Sequence, residues 1–161
     1  MSSFERRGRL DERDTVAADD LDAIQAHIAT IKPGDYIAFL NYIEETPEID
    51  QKFQEIRTAL RDATKCAVTI GYGPRFLHST GQLHKGGPDT GVFFQIIAND
   101  EKDFAIPGEP YTFSILKQAQ ALGDFRALAK RGRRVIGIDL GDNTLEGLRR
   151  LKAILAADSR G

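Results

Sequence analysis

Short, almost continuously apolar runs alternate along this chain with stretches whose apolar residues recur at helical spacing, and few folds accommodate that order. The runs at 35–43, 66–70, 91–98 and 134–140 have the length of strands and little polar character on either face. That is the pattern of strands covered on both sides. Between the runs lie helical signals. Asp19 or Asp20 can cap a helix to about Ile31, with Leu21, Ile24, His27 or Ile28, and Ile31 along one stripe. Thr46, Pro47 and Glu48 supply an N-cap, a first-turn proline and an early acid for a helix to about Ala63, striped by Ile49, Phe53, Ile56 and Leu60. After the third run a polar loop with Pro107, Gly108 and Pro110 leads to two helical pieces, about 112–122 and 124–132. Asn143 or Thr144 caps a closing helix whose stripe is Leu145, Leu148, Leu151 and Leu155. Alternating strands and helices predict an α/β fold of three layers, αβα, around a mostly parallel sheet of about four to five strands.

The 161 residues suit one domain. We place it at 19–158, after a charge-dense lead-in at 1–18 that reads as a flexible arm. A net charge of -2 offers no general attraction for nucleic acid or an anionic membrane, so neither is an expected partner. No apolar run approaches the roughly 18 to 20 residues that span a bilayer. The N-terminal residues lack the hydrophobic centre of a secretory signal, and the single Cys66 excludes internal disulfides. Both features suit a reducing cytoplasm.

In a parallel α/β sheet, ligands bind outside the carboxyl ends of the strands. One such end opens the segment 69–88, where five of twenty residues are glycine and two of the three histidines lie. Gly71, Gly73 and Pro74 suit a tight turn into a helix, whose free N–H groups and dipole favour an anion. Arg75 would add a bidentate fork for phosphate or carboxylate. His78 and Gln82 share a helix face, as do Arg75 and Ser79. His84, Lys85 and Gly86 suit the end of that helix. Basic residues there also stabilise a last turn without any ligand, so both readings of His84 and Lys85 stay open. Cys66 reads as core and His27 as structural. Glu44 and Glu45 close the first strand on the ligand edge, where one can shuttle protons or both can simply be solvated loop acids. The spacing of His78 and His84 is no metal pattern, and neither a P-loop nor a dinucleotide fingerprint occurs.

The words in this segment also have a relative. Gly-Pro-Arg-Phe-Leu-His-Ser-Thr-Gly-Gln-Leu-His-Lys-Gly-Gly-Pro (73–88) closely resembles the C-terminal region of bifunctional transaldolase/glucose-6-phosphate isomerases. The likeness extends to 32–36 upstream and to Pro107-Gly108, 111–113, 119–124 and 132–134 downstream, so it covers roughly residues 30–155. The resemblance implies a sugar isomerase (SIS) domain of flavodoxin-like build, one of the pair in such enzymes. It implies a phosphorylated sugar as ligand and aldose–ketose isomerisation of glucose 6-phosphate and fructose 6-phosphate through an enediol, a glycolytic and gluconeogenic step without metal or organic cofactor. The partner would be a second copy or another SIS or transaldolase chain. His78, His84 and Glu44 are then the catalytic candidates, and Gly73, Arg75, Ser79, Gln82 and Lys85 the substrate-binding ones. The family's general-base glutamate has no counterpart between Ile70 and Arg75, and its phosphate-gripping loop belongs to the other SIS domain. The alternative is a non-catalytic subunit that binds sugar phosphate or stabilises a larger carbohydrate enzyme.

Overall fold

The computed structural model describes residues 15–73, 90–99, 107–110 and 113–158. In chain order the elements are β1 (Thr15–Ala17), α1 (Leu21–Ile28), β2 (Tyr36–Tyr42), α2 (Pro47–Thr64), β3 (Ala67–Tyr72), β4 (Gly91–Ile97), α3 (Phe113–Lys130), β5 (Arg134–Asp139) and α4 (Thr144–Asp158). The five strands form one sheet in the order β1-β5-β4-β2-β3, and every neighbouring pair is parallel. Each of the four expected strands is present within a residue or two of its predicted ends. Thr15–Ala17 fall in the expected flexible lead-in, but the structure pairs them with Gly137–Asp139 at the sheet's edge.

Parallel pairing explains why β2 and β4 are apolar throughout. Both faces of each strand are covered, and side chains alternate between two cores. Ile37, Phe39, Val92, Phe94, Ile96 and Ile138 point to the face carrying α1, α2 and α4. There Phe39 stacks on Phe94 with ring centres 4.9 Å apart, and Phe53 of α2 meets Phe39 edge-on at 5.7 Å. Ala38, Leu40, Tyr42 and Phe93 point the other way, against Ala121 and Leu128 of α3. The molecule thus has the expected three layers.

The helices begin where their capping residues dictate. Asp20, Thr46 and Asn143 accept hydrogen bonds from the backbone N–H three residues on, at 3.2, 3.2 and 3.1 Å. Lys65 closes α2 in the left-handed region at φ 60°, where glycine is the usual occupant. α3 differs from expectation, because one continuous helix replaces the two pieces split at Gly123. A glycine inside a helix costs only about 1 kcal/mol. Buried Ala121, Leu122, Asp124 and Leu128 on both sides of Gly123 hold the helix together across it.

The strand order defines where a ligand belongs. β2 connects through α2 to β3 on one side, whereas β4 stands on its other side. The last four strands therefore follow the order 2-1-3-4 of flavodoxin-like sheets, with β1 in the fifth place. Between the carboxyl ends of β2 and β4 the connections diverge to opposite sides, which leaves a crevice at the sheet's edge.

Candidate functional site

The crevice is built around the last residues of β2. Asn41 and Tyr42 point to opposite faces of the sheet, as successive strand residues must. Both are buried, at 0% and 2% exposure.

On the α3 side, the Tyr42 hydroxyl donates to Oδ2 of Asp124, which is itself buried. Burial first, and then the bond to the Asp124 carboxylate, push the Tyr42 phenol far above its ordinary pKa. It is therefore a fixed donor at any working pH. Gln95 of β4 completes this side, with Nε2 donating to the Ala121 carbonyl at 2.7 Å. The result is a polar strut joining β2 and β4 to α3.

On the other side, Asn41 lies beneath the first turn of α2. Its Oδ1 and Nδ2 are both buried and lack a hydrogen-bond partner among the described residues. Beside the amide is the Tyr72 hydroxyl, which also faces the Asp50 carboxylate and likewise has no partner of hydrogen-bonding geometry. Burial, then the negative charges of Asp50 and Glu45, push the Tyr72 phenol up to about 12. Its ring meets Phe53 edge-on at 6.4 Å.

The rim of the crevice is stitched by backbone bonds. Gly73 N–H donates to the Asn41 carbonyl at 2.8 Å, and Leu140 N–H to the Ile97 carbonyl at 2.8 Å. Asn99 Nδ2 donates to Asp142 Oδ1 at 2.6 Å. Glu44 and Glu45 follow β2 directly and are exposed.

Of the residues expected to form the site, Glu44 and Gly73 therefore stand at this edge, after adjacent strands. Gly73 extends the β2–β3 ladder, its N–H donating to the Asn41 carbonyl. Arg75, His78, Ser79, Gln82, His84 and Lys85 lie outside the described residues. Lys152, on the closing helix α4, pairs with Glu55 at 3.2 Å. The pair lies about two turns into α4 and α2, within a groove of about 450 Å³ on their outer surface that Gln51, Gln54, Thr58 and Ala59 also line. His27 is structural, as expected: Nε2 lies 2.9 Å from the Phe93 carbonyl, and the ring meets Phe94 edge-on at 4.9 Å. No group of three or more His, Cys, Asp or Glu among the described residues is placed to hold a metal ion. No described helix is long and apolar enough to cross a membrane.

Sequence reasoning missed Asn41, Tyr42, Gln95, Asp124 and Tyr72. For Asn41 and Gln95 a signal was present. Each is a polar residue inside a run otherwise buried on both faces, where an amide must find a partner or have another use.

These features define a parallel α/β domain with buried polar residues gathered near its topological switch point. No protein-family model matches the sequence, and no curated protein matches it. Among solved structures the fold is similar to that of a hypothetical protein from Thermus thermophilus, with a TM-score of 0.68 at 17% identity. The match takes in 86% of this chain and 37% of that one, so the chain spans little more than a third of the protein it resembles in fold.

Proposed function

We propose that this chain is a sugar-phosphate-binding domain of the glucose-6-phosphate isomerase type, which completes its site with a partner. The observation that carries the reading is the meeting of two independent lines at one place. The segment 73–88, whose words resemble those isomerases, starts from the carboxyl end of β3, beside the switch-point strand β2. That edge is where a sheet of this order binds its ligand. The recurrence of the fold within a longer chain also suits a domain that works beside another.

The proposed chemistry assigns few roles. Isomerisation removes a proton from C2 of the open-chain aldose, passes through an enediol and returns a proton to C1. A carboxylate can carry that proton, and Glu44 stands at the required edge. His78 and His84 would contact sugar hydroxyls, and Arg75 and Lys85 would face the phosphate. Charge supports the need for those cations. The described residues at the strands' carboxyl ends include Asp19, Asp20, Glu44, Glu45 and Asp142 but no Lys, Arg or His, and Asp19 is met by Arg150 of α4 at 3.6 Å. Such a rim repels a phosphate dianion, so the phosphate would meet its positive charge outside these described residues, with Arg75 and Lys85 as the candidates.

The same charge distribution favours one second reading, a subunit that binds sugar phosphate without turning it over. A coupled assay for conversion of fructose 6-phosphate, run on the chain alone and mixed with the products of neighbouring genes, separates the two. Turnover in either setting that falls on Glu44→Gln supports the isomerase. Binding without turnover supports the subunit. Neither binding nor turnover in any mixture removes the sugar-phosphate reading.

A further inference from the structure

We propose that Asn41 and Tyr72 form a subsite for the uncharged, hydroxyl-bearing end of a ligand at the N-terminus of α2. This deepens the sugar-phosphate reading and names which end of the ligand the described crevice takes.

A carboxamide carries two donors and a carbonyl acceptor, and leaving such a group buried without partners costs about 1–3 kcal/mol. Asn41 has 0% exposure, lies near the end of β2, and has neither side-chain atom paired among the described residues. A leucine would fill similar space without that cost. The Tyr72 hydroxyl beside it faces the Asn41 amide and the Asp50 carboxylate but meets neither in full hydrogen-bonding geometry. Two adjacent unmet polar groups under a helix N-terminus, at the switch point of a parallel sheet, are placed to receive something.

The chemistry of what they receive follows from their surroundings. The amide donates and accepts, and so does the phenol. Asp50 and Glu45 nearby are negative, and the α2 N-terminus already has its own acids in Glu48 and Asp50. This environment opposes an anion, although a bare helix N-terminus would welcome one. Hydroxyl groups suit every member of the set, since each can donate to a carboxylate or amide oxygen and accept from the amide or phenol. A sugar's polyol end matches, and its phosphate would point away from α2. Access is governed by Tyr72, which is only partly buried and stands on the edge strand β3. Turning its ring away from Phe53 uncovers the amide.

The test follows the Asn41 side-chain amide signals by NMR in the full chain, assigned by their loss in Asn41→Leu. D-glucitol, fructose 6-phosphate, inorganic phosphate and methylammonium are the probes. The expected result is that glucitol and fructose 6-phosphate both shift the Asn41 Nδ2 signals, whereas phosphate and methylammonium do not. Asn41→Leu should raise the melting temperature and abolish glucitol binding together, and Tyr72→Phe should weaken it about tenfold. A purely structural asparagine would lower stability on replacement and leave binding untouched. Should Asn41→Leu not fold, Asn41→Ser, which removes the carboxamide and leaves a smaller polar group, serves for the binding comparison.

Absence of any shift with both polyols overturns the subsite, as does a shift with phosphate or methylammonium alone. The isomerase reading fails separately. If glucitol moves the signals but fructose 6-phosphate binds no tighter than fructose, the subsite stands and the phosphorylated ligand falls.

Discussion

Acid should weaken this fold through one histidine, and the size of the effect can be worked out. His27 sits on α1 with its ring against Phe94 and Nε2 hydrogen-bonded to the Phe93 carbonyl. Burial lowers its pKa from 6.5 to about 4; the Phe93 carbonyl opposes that change and the nearby Arg134 guanidinium adds to it. The folded value lies below the unfolded one, so between them the unfolded chain binds more protons. Stability is then full above about pH 6.5 and falls as the pH drops toward 4. At about 1.4 kcal/mol per pH unit the loss by pH 4 is about 3 kcal/mol. The Asp35 carboxyl, held below its usual range by the Arg134 guanidinium 2.8 Å away, contributes a loss of the same sign in acid. A variant must therefore separate the two. His27→Gln keeps a side-chain N–H donor for the Phe93 carbonyl and cannot titrate. Urea unfolding at pH 7.5, 5 and 4 should show wild type losing about 3 kcal/mol more than His27→Gln over that range. The His27 ring signals should titrate near pH 4. Equal pH slopes in the two proteins, or a ring that titrates near 6.5, would refute the burial argument.

Gly123→Ala should stabilise the domain by about 0.5–1 kcal/mol, because the glycine lies inside α3 with nothing within 4 Å of an added Cβ. Destabilisation in a thermal melt would mean that the helix breaks there. Gly147→Ala should do the opposite by more than about 2 kcal/mol, since its Cβ would fall on the Leu140 backbone where α4 folds back over the end of β5. A neutral melt would place α4 farther from the sheet. Lys65→Gly should gain a few tenths of a kcal/mol to about 1 kcal/mol by relieving the left-handed C-cap at φ 60°. Unchanged urea midpoints would contradict that backbone geometry.

The sheet was legible because parallel strands buried on both faces cannot hide. Phe39, Phe93, Phe94 and Ile96 have nowhere to go except between two helical layers. The caps at Asp20, Thr46 and Asn143 were equally plain, since each is a local hydrogen bond three residues long. What escaped had no local signature. β1 is three residues, too short for any period to show, and it exists through its pairing with β5, more than a hundred residues away. Gly123 carried a true propensity signal that was outweighed by the packing around it. The Tyr42–Asp124 strut joins residues 82 positions apart, and nothing near either one announces the other.

The glycine-rich segment drew attention as an anion loop, but the described edge beside it is acidic and amide-lined. That contrast has a physical use. A phosphorylated sugar is an amphoteric object for recognition, with a dianion at one end and uncharged hydroxyls at the other. A site that met both ends with cations would hold the phosphate wherever it landed and leave the carbonyl end unoriented. An acidic rim excludes the phosphate from the α2 side by like-charge repulsion. In the proposed complex it would also accept hydroxyls there and give the ligand one orientation. Arg75→Ala should then weaken binding of fructose 6-phosphate without affecting glucitol, and Asn41→Leu should weaken both. Calorimetric titration of the two ligands into the two variants reads the difference directly. Equal losses for both ligands in Arg75→Ala would mean that the two ends are not separately held, and the orientation argument would fail.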